Sequence, residues 1–285
     1  MNSRSIRSRR SFIFCPGNRI ELFQKACNSG ADIVCVELED AIPLQEKDFA
    51  RENALALFND QSMSDAIEYV IRINSLQSKE GLFDIQAILA TAKPPPSIMV
   101  PKVKTPEEIC LLDDLLTENK KDIRLHVIIE TNQGLERAYD IAHASNRIDA
   151  LFFGGIDMAA ELRCHSSWEP LIYARSRVVH AAASKGLDVI DVPFMDLNSQ
   201  DELKKEATLA KNLGYVGKGA IHPSQIPTIN DIFTPSDAEV ANAEKVLKAY
   251  QAVNGGLTVI NGKLIEKPVI RDMQRILSIS NKMKS

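Results

Sequence analysis

Apolar runs of strand length alternate with amphipathic stretches of helix length along almost the whole chain, and that rhythm limits the folds open to it. Strands are predicted at 11–15, 33–38, 69–74, 97–102, 124–130, 150–157, 188–194 and 215–222. Helical patterns lie between them at about 19–29, 45–58, 79–92, 106–118, 134–144, 168–184 and 200–213, with further helix after Ser224. Regular alternation implies parallel strands with right-handed crossovers, and eight such units predict an α/β fold, a closed (β/α)8 TIM barrel. A doubly wound open sheet is the competing architecture. No Gly-rich dinucleotide turn follows the first strand, which counts against it.

Local punctuation agrees with these boundaries. Thr105-Pro106-Glu107-Glu108 combines an N-cap, a proline at the first helical position and acids in the first turn. Pro94-Pro95-Pro96 separates the third helix from the fourth strand, and Gly214 closes the helix opened by Asn198-Ser199-Gln200-Asp201. Beyond the eighth strand, Pro235-Ser236-Asp237 caps a helix running to about Val253, where Gly255-Gly256 breaks it. Residues 257–260 and 263–265 around Asn261-Gly262 read as a β-hairpin, and Pro268 begins a last helix. The expected organisation is a barrel over 1–234 and a helix-hairpin-helix extension over 235–285. Such an extension is expected to lack a core of its own and to pack on the barrel or on a neighbouring subunit.

Composition narrows the partners. A net charge of −4 gives no basic excess for a nucleic-acid backbone, and no apolar run reaches membrane-spanning length. Arg4, Arg7, Arg9 and Arg10 form a local exception, read as a solvated or ligand-facing terminus because a strand follows at once. Five scattered cysteines, without metal-type spacing, fit a reducing compartment, so a cytoplasmic protein is expected. Cys15 and Cys35 fall inside apolar runs as buried free thiols.

Two of the runs end on acids: Leu125-His126-Val127-Ile128-Ile129-Glu130 and Leu151-Phe152-Phe153-Gly154-Gly155-Ile156-Asp157. A carboxylate at the end of a buried strand is costly unless a cation sits beside it. Two on consecutive strands, at the end where barrel enzymes build active sites, predict a hard metal ion on Glu130 and Asp157. With only two protein carboxylates, Mg²⁺ fits better than Ca²⁺, and no Cys or His pair is spaced for zinc. The competing reading makes each a helix N-cap or first-turn acid.

Arg72, inside Val70-Ile71-Arg72-Ile73-Asn74, keeps its charge and needs an anion. A substrate carboxylate fits, and so does an ion pair with Glu37, Glu39 or Asp40. Glu39 and Asp40 are candidates to orient Arg72 or metal waters. Pro16-Gly17-Asn18-Arg19, with Lys25 farther along, reads as an ordinary turn or a phosphate cradle. His222 reads as a catalytic group or a packed cap; His126, His143, His165 and His180 read as structural.

Together these segments resemble one family, the Mg²⁺-dependent lyases of the HpcH/HpaI aldolase superfamily that include the citrate lyase beta subunit, malyl-CoA lyase and citramalyl-CoA lyase. The resemblance runs through Phe14-Cys15-Pro16-Gly17-Asn18-Arg19, Glu37-Leu38-Glu39-Asp40-Ala41, Arg72-Ile73-Asn74, Pro101-Lys102, Ile129-Glu130-Thr131, Gly154-Gly155-Ile156-Asp157, Gly217-Lys218 with His222-Pro223, and Asn261-Gly262-Lys263-Leu264-Ile265-Glu266-Lys267-Pro268. It implies a homotrimer of barrels with Mg²⁺ on Glu130 and Asp157. Arg72, Gly155, Ile156 and Asp157 would meet the substrate, and Arg19 and Lys25 the phosphates of coenzyme A. It further implies that the C-terminal segment supplies a neighbour's acid/base group. The family's Asp is replaced here by Glu266, whose extra methylene adds about 1.5 Å of reach.

The activity implied is cleavage of a citramalyl-CoA or malyl-CoA type thioester to acetyl-CoA and pyruvate or glyoxylate. Alternatives are a citrate lyase beta subunit acting on an acyl-carrier protein, a thioesterase, or a non-catalytic CoA-binding protein.

Overall fold

The computed structural model describes residues 7–58, 63–252, 258–260, 263–265 and 267–284. Eight parallel strands close into a barrel in chain order: β1 (Ser11–Pro16), β2 (Ile33–Glu37), β3 (Glu68–Arg72), β4 (Ser97–Val100), β5 (Arg124–Ile129), β6 (Ile148–Phe153), β7 (Asp188–Asp191) and β8 (Gly217–Ala220). The seam pairs Ser11 of β1 with Lys218 of β8. The predicted barrel is therefore present, and each predicted strand has its counterpart.

Side chains two residues apart on a strand share a face, and the inward face is layered by polarity. β3 carries Glu68, Val70 and Arg72 from bottom to top; β5 carries His126 and Ile128, with Glu130 just past its end. The middle layer is apolar, formed by Phe12, Ile33, Val70, Met99, Ile128, Phe152 and Ile190. Phe12 meets Phe152 edge to face at 5.2 Å. An apolar plug thus separates a charged floor from a charged mouth.

The floor corrects the reading of the arginine-rich start. Arg9 is buried there, its guanidinium 2.6 Å from Glu68 and 2.8 Å from Asp188, which reach it from opposite sides of the barrel. Arg10 pairs with Asp32 at 2.8 Å, while Arg7 is exposed as expected of a terminus and Arg4 lies outside the described residues. His126 accompanies them, its Nε2 3.0 Å from Glu68 and its ring stacked on Phe152.

Two helices differ from expectation. The 134–144 pattern is split into Asn132–Glu136 and Ala138–His143, and a helix Gly155–Leu162 begins inside the run predicted as strand 150–157. Asp157 therefore stands in a helix's first turn, not on a strand. Elsewhere the punctuation holds: Thr105 donates its amide to Glu108, and Gly214 (φ +114°) ends Gln200–Leu213 in a left-handed turn that suits glycine.

Contacts divide the chain into two compact units, Arg9–Asn230 and one made of Met1–Ser8 with Asp231–Ser285. The second holds helix Asp237–Ala252, the antiparallel pair β9 (Thr258–Ile260) and β10 (Lys263–Ile265), and helix Lys267–Lys284. Contrary to expectation it has a core of its own, Ala243 and Val246 against Ile270 and Met273. Gly255-Gly256, the Asn261-Gly262 turn and Glu266 lie outside the described residues. Among the described residues no helix is long and apolar enough to cross a membrane.

Candidate active site

The mouth of the barrel opens on a cavity of about 470 Å³. Its base is the apolar layer (Phe12, Phe14, Met99, Ile128, Phe152), and its charged wall carries Glu37, Asp40, Arg72, Glu130 and Asp157. β2, β3 and β5 each put a charge at or just past their upper ends, and the helix after β6 brings Asp157. The chain thus brings Glu130, Asp157 and Arg72 to one place, as their positions in the sequence predict.

Glu130 is almost wholly buried. Its Oε1 accepts a hydrogen bond from the Lys102 amide at 2.8 Å and lies 3.9 Å from Arg72 Nη2. Burial, against the pull of Arg72 and with repulsion from Asp157 and Glu39, pushes its carboxyl up to about 8. Gly154 makes room for it. A Cβ there would lie 2.3 Å from Glu130 Oε2 and 2.4 Å from Glu130 Cβ, so only glycine lets this side chain lie across the start of the next helix.

Arg72 stands at the upper end of β3 with its guanidinium 5.6 Å from the Phe14 ring centroid. Both partners open to it on sequence grounds remain chemically sensible, and the structure shows the acids of the second unit of the barrel. Nη1 lies 3.1 Å from Glu37, Nη2 lies 3.2 Å from Asp40, and Nη2 also contacts Glu39. Arg72 Nε is buried without a hydrogen-bond partner. Burial raises Glu39 to about 7 despite Arg72 and Lys102, whereas the same two cations hold the more open Asp40 below its ordinary value.

Some residues the sequence singles out lie apart. Arg19 and Lys25 are exposed beyond β1, Arg19 pairing with Glu21, and neither lines the cavity. Gly17 is explained by packing: a Cβ would meet Leu38 at 2.8 Å and the Glu37 carbonyl at 3.1 Å. Ile156 lines the cavity and is exposed; Gly155 is buried, facing Phe153 and Val192. His222 is neither catalytic in placement nor packed. It is exposed and accepts from the Ser224 amide as the cap of a short turn.

Three further positions at the site were given no role of their own on sequence grounds. Lys102 was legible as another charge ending an apolar run. Gly154 was legible only as part of a glycine pair. Asp191, in an apolar run, lines the cavity while its oxygens are held by Lys218 at 2.7 Å and Arg175 at 3.0 Å. Burial works against its ionisation, yet Lys218 and Arg175 keep its carboxyl below the usual range.

The donor set tests the expected cation. Among the described residues, Glu37, Glu39, Asp40 and Glu130 meet Arg72 or Lys102, and Asp157 stands near enough to Glu130 to repel it, with Lys47 bonded behind them to the Leu38 and Glu39 carbonyls and Asn74. Among the described residues no three or more His, Cys, Asp or Glu side chains converge as a ligand set. Two carboxylates in an acid-rich field, leaving other positions to water and substrate oxygens, fit a hard divalent cation and not zinc.

A family model described as HpcH/HpaI aldolase/citrate lyase matches residues 10–223. The chain is 30% identical to citrate lyase subunit beta of Leuconostoc mesenteroides subsp. cremoris, over 96% of this chain and 94% of that one. It is 31% identical to the L-malyl-CoA/beta-methylmalyl-CoA lyase of Rhodobacter capsulatus, over 95% and 94%. Among solved structures it is similar to protein CitE of Mycobacterium tuberculosis in complex with magnesium, acetoacetate and coenzyme A. The TM-score there is 0.74 and the identity 27%, over 95% of this chain and 97% of that one.

Proposed function

The chain belongs to the HpcH/HpaI aldolase/citrate lyase family, and from that premise we propose that it is a Mg²⁺-dependent carbon–carbon lyase cleaving a 3-hydroxyacyl-CoA to acetyl-CoA and a 2-oxoacid. The observation that carries this reading is Arg72 beside Glu130 and Asp157 above an apolar cavity base. Glu130 and Asp157 would hold Mg²⁺. When bound, the ion supplies Lewis-acid stabilisation of negative charge on the departing fragment's oxygen.

The chain's own groups do the rest. Arg72 grips the carboxylate of the fragment that leaves as 2-oxoacid and adds positive charge where negative charge develops. Ile156 and Asp157, with the first-turn amides of Gly155–Leu162, border the same fragment. Glu39 and Asp40 orient Arg72. Phe12, Phe14 and Phe152 keep water from the reacting carbons. As the substrate hydroxyl gives up its proton and becomes the 2-oxoacid carbonyl, the pair from the broken carbon–carbon bond stays on the thioester fragment as an enolate, whose carbon takes up one proton in return. Glu266 is the proposed donor on the strength of the family resemblance. A Glu266→Ala protein that turned over at full rate would remove it from the mechanism.

Arg19 and Lys25, at the surface beyond β1, suit the phosphates of coenzyme A more than the reacting end. The cavity base favours a methyl-bearing substrate. Arg72 is the one cation among the described lining residues, so a second carboxylate would lack a partner, while the methyl group of a citramalyl-CoA type substrate meets apolar side chains. The second reading is a citrate lyase beta subunit acting on a carrier-protein thioester. It is favoured by the 30% identity to such a subunit.

Purified protein with Mg²⁺, assayed for 2-oxoacid release from citramalyl-CoA and malyl-CoA, separates these. The proposal expects turnover of the free CoA thioester, lost on chelation and faster with citramalyl-CoA. Release of an intact hydroxyacid, or no turnover without added subunits, would overturn it. The homotrimeric assembly belongs to the same proposal and is read by sedimentation.

A further inference from the structure

Three non-glycine residues among those described have a left-handed backbone. Lys120 and Arg163 follow helix ends, where that conformation is routine. Lys102 (φ 53°) does not. It comes two residues after β4 at the barrel mouth, where a left-handed lysine is disfavoured and calls for a reason.

The reason is visible in what the turn aims. The Lys102 amide points at Glu130 Oε1, 2.8 Å away. Its ammonium sits between Glu39 Oε1 and Asp40 Oδ1, 2.8 Å from each. The other oxygens of those two acids face Arg72 Nη2. Glu39 and Asp40 are thus each shared between two cations, one oxygen apiece. A half-exposed lysine on one carboxylate would be an ordinary surface pair worth little. One held in a left-handed turn, bridging both acids that occupy the substrate-gripping arginine, is not.

Arg72 cannot offer Nη2 to an incoming carboxylate while Glu39 and Asp40 occupy it. We infer that Lys102 is a positioning residue whose ammonium takes over Glu39 and Asp40 as Arg72 releases them, opening the guanidinium to the carboxylate of a 2-oxoacid. The inference rests on the role given to Arg72 under the proposed function. It also predicts opposite effects on cation and anion. Removing the ammonium leaves the acids wholly on Arg72 and makes the mouth one charge more negative, which repels a carboxylate and favours a divalent cation.

The test is calorimetric titration of the full chain, first with Mg²⁺ alone and then with pyruvate at saturating Mg²⁺. Lys102→Met should bind pyruvate about tenfold more weakly and Mg²⁺ as tightly as the wild type or tighter. Lys102→Arg should restore pyruvate affinity to within about threefold, because it returns the charge. Lys102→Gly keeps the amide and suits the left-handed turn, so it should bind like Lys102→Met with an equal or higher Tm. Unchanged pyruvate affinity in Lys102→Met would overturn the inference. So would a parallel loss of Mg²⁺ and pyruvate, the mark of a loosened fold, or an arginine variant no better than the methionine one. A wild-type protein that bound no pyruvate would instead sink the reading of Arg72, and this inference with it.

Discussion

The floor and the mouth of the barrel use the same device to different ends. Each has a buried arginine among acids, separated by one apolar layer. Below, Arg9 lies among Glu68, Asp188 and Asp149; above, Arg72 lies among Glu37, Glu39, Asp40 and Glu130. At the floor each of these acids has an arginine partner. Arg124 also pairs with Asp149, and His126 rests on Glu68. Burial works against Glu68, but His126 and Arg9 outweigh it and hold the carboxyl well below the usual range. At the mouth burial wins, and Glu130 rises to about 8. The floor's acids are each held by an arginine, while the mouth carries more acid than its own cations balance. Matched buried charge reads as structure; unmatched buried charge at the C-terminal end of the strands reads as a binding site.

The sharpest way to break this contrast is to remove one acid from the mouth. Glu130→Gln should lower lyase turnover by about 10²–10³-fold, the scale of losing one electrostatic contact in a transition state. Its Tm should stay equal or rise, since a carboxylate whose ionisation burial disfavours has been removed. A large loss of Tm would make Glu130 part of the frame. At the floor the expectation reverses. Arg9→Met leaves Glu68 and Asp188 buried with their main cation gone, so stability should fall by about 3–5 kcal/mol, measured by denaturant unfolding.

Smaller changes sharpen the comparison. Gly154→Ala drives a Cβ against the Glu130 carboxylate and should cost about 1–3 kcal/mol of stability together with a measurable loss of Mg²⁺ affinity. Wild-type affinity in that protein would mean Glu130 has room to spare. The smallest effect is in acid. The folded-state value of Glu68 is depressed, so its stabilisation is fully present above its unfolded value near about 4.3 and is lost as pH falls below that. Stability of Glu68→Gln should therefore fall less steeply than the wild type between about pH 4.5 and 2.5.

The barrel was legible because alternating apolar and amphipathic runs express its repeat directly. The acids at the mouth were legible because Glu130 and Arg72 interrupt or end apolar runs. What escaped depends on distance along the chain or on local backbone. Arg9 meets partners 59 and 179 residues away, which no local pattern announces. The continuous apolar run through Ile156 hid the change from strand to helix at Gly154 that sets Asp157 in a first turn. The left-handed turn at Lys102 carries no sequence mark, since lysine is an unusual residue to find in it. The extension's own core escaped because its halves, around Val246 and Ile270, are separated by the hairpin.

The central claim is that the excess acid at the mouth exists to hold a divalent cation. Titration of Mg²⁺ into the wild type and into a Glu130→Gln, Asp157→Asn protein, followed by calorimetry, tests it directly. The account predicts one saturable site per chain in the wild type and none in the double variant, with both proteins folded by circular dichroism. Equal binding by the two, or none by either, would contradict it.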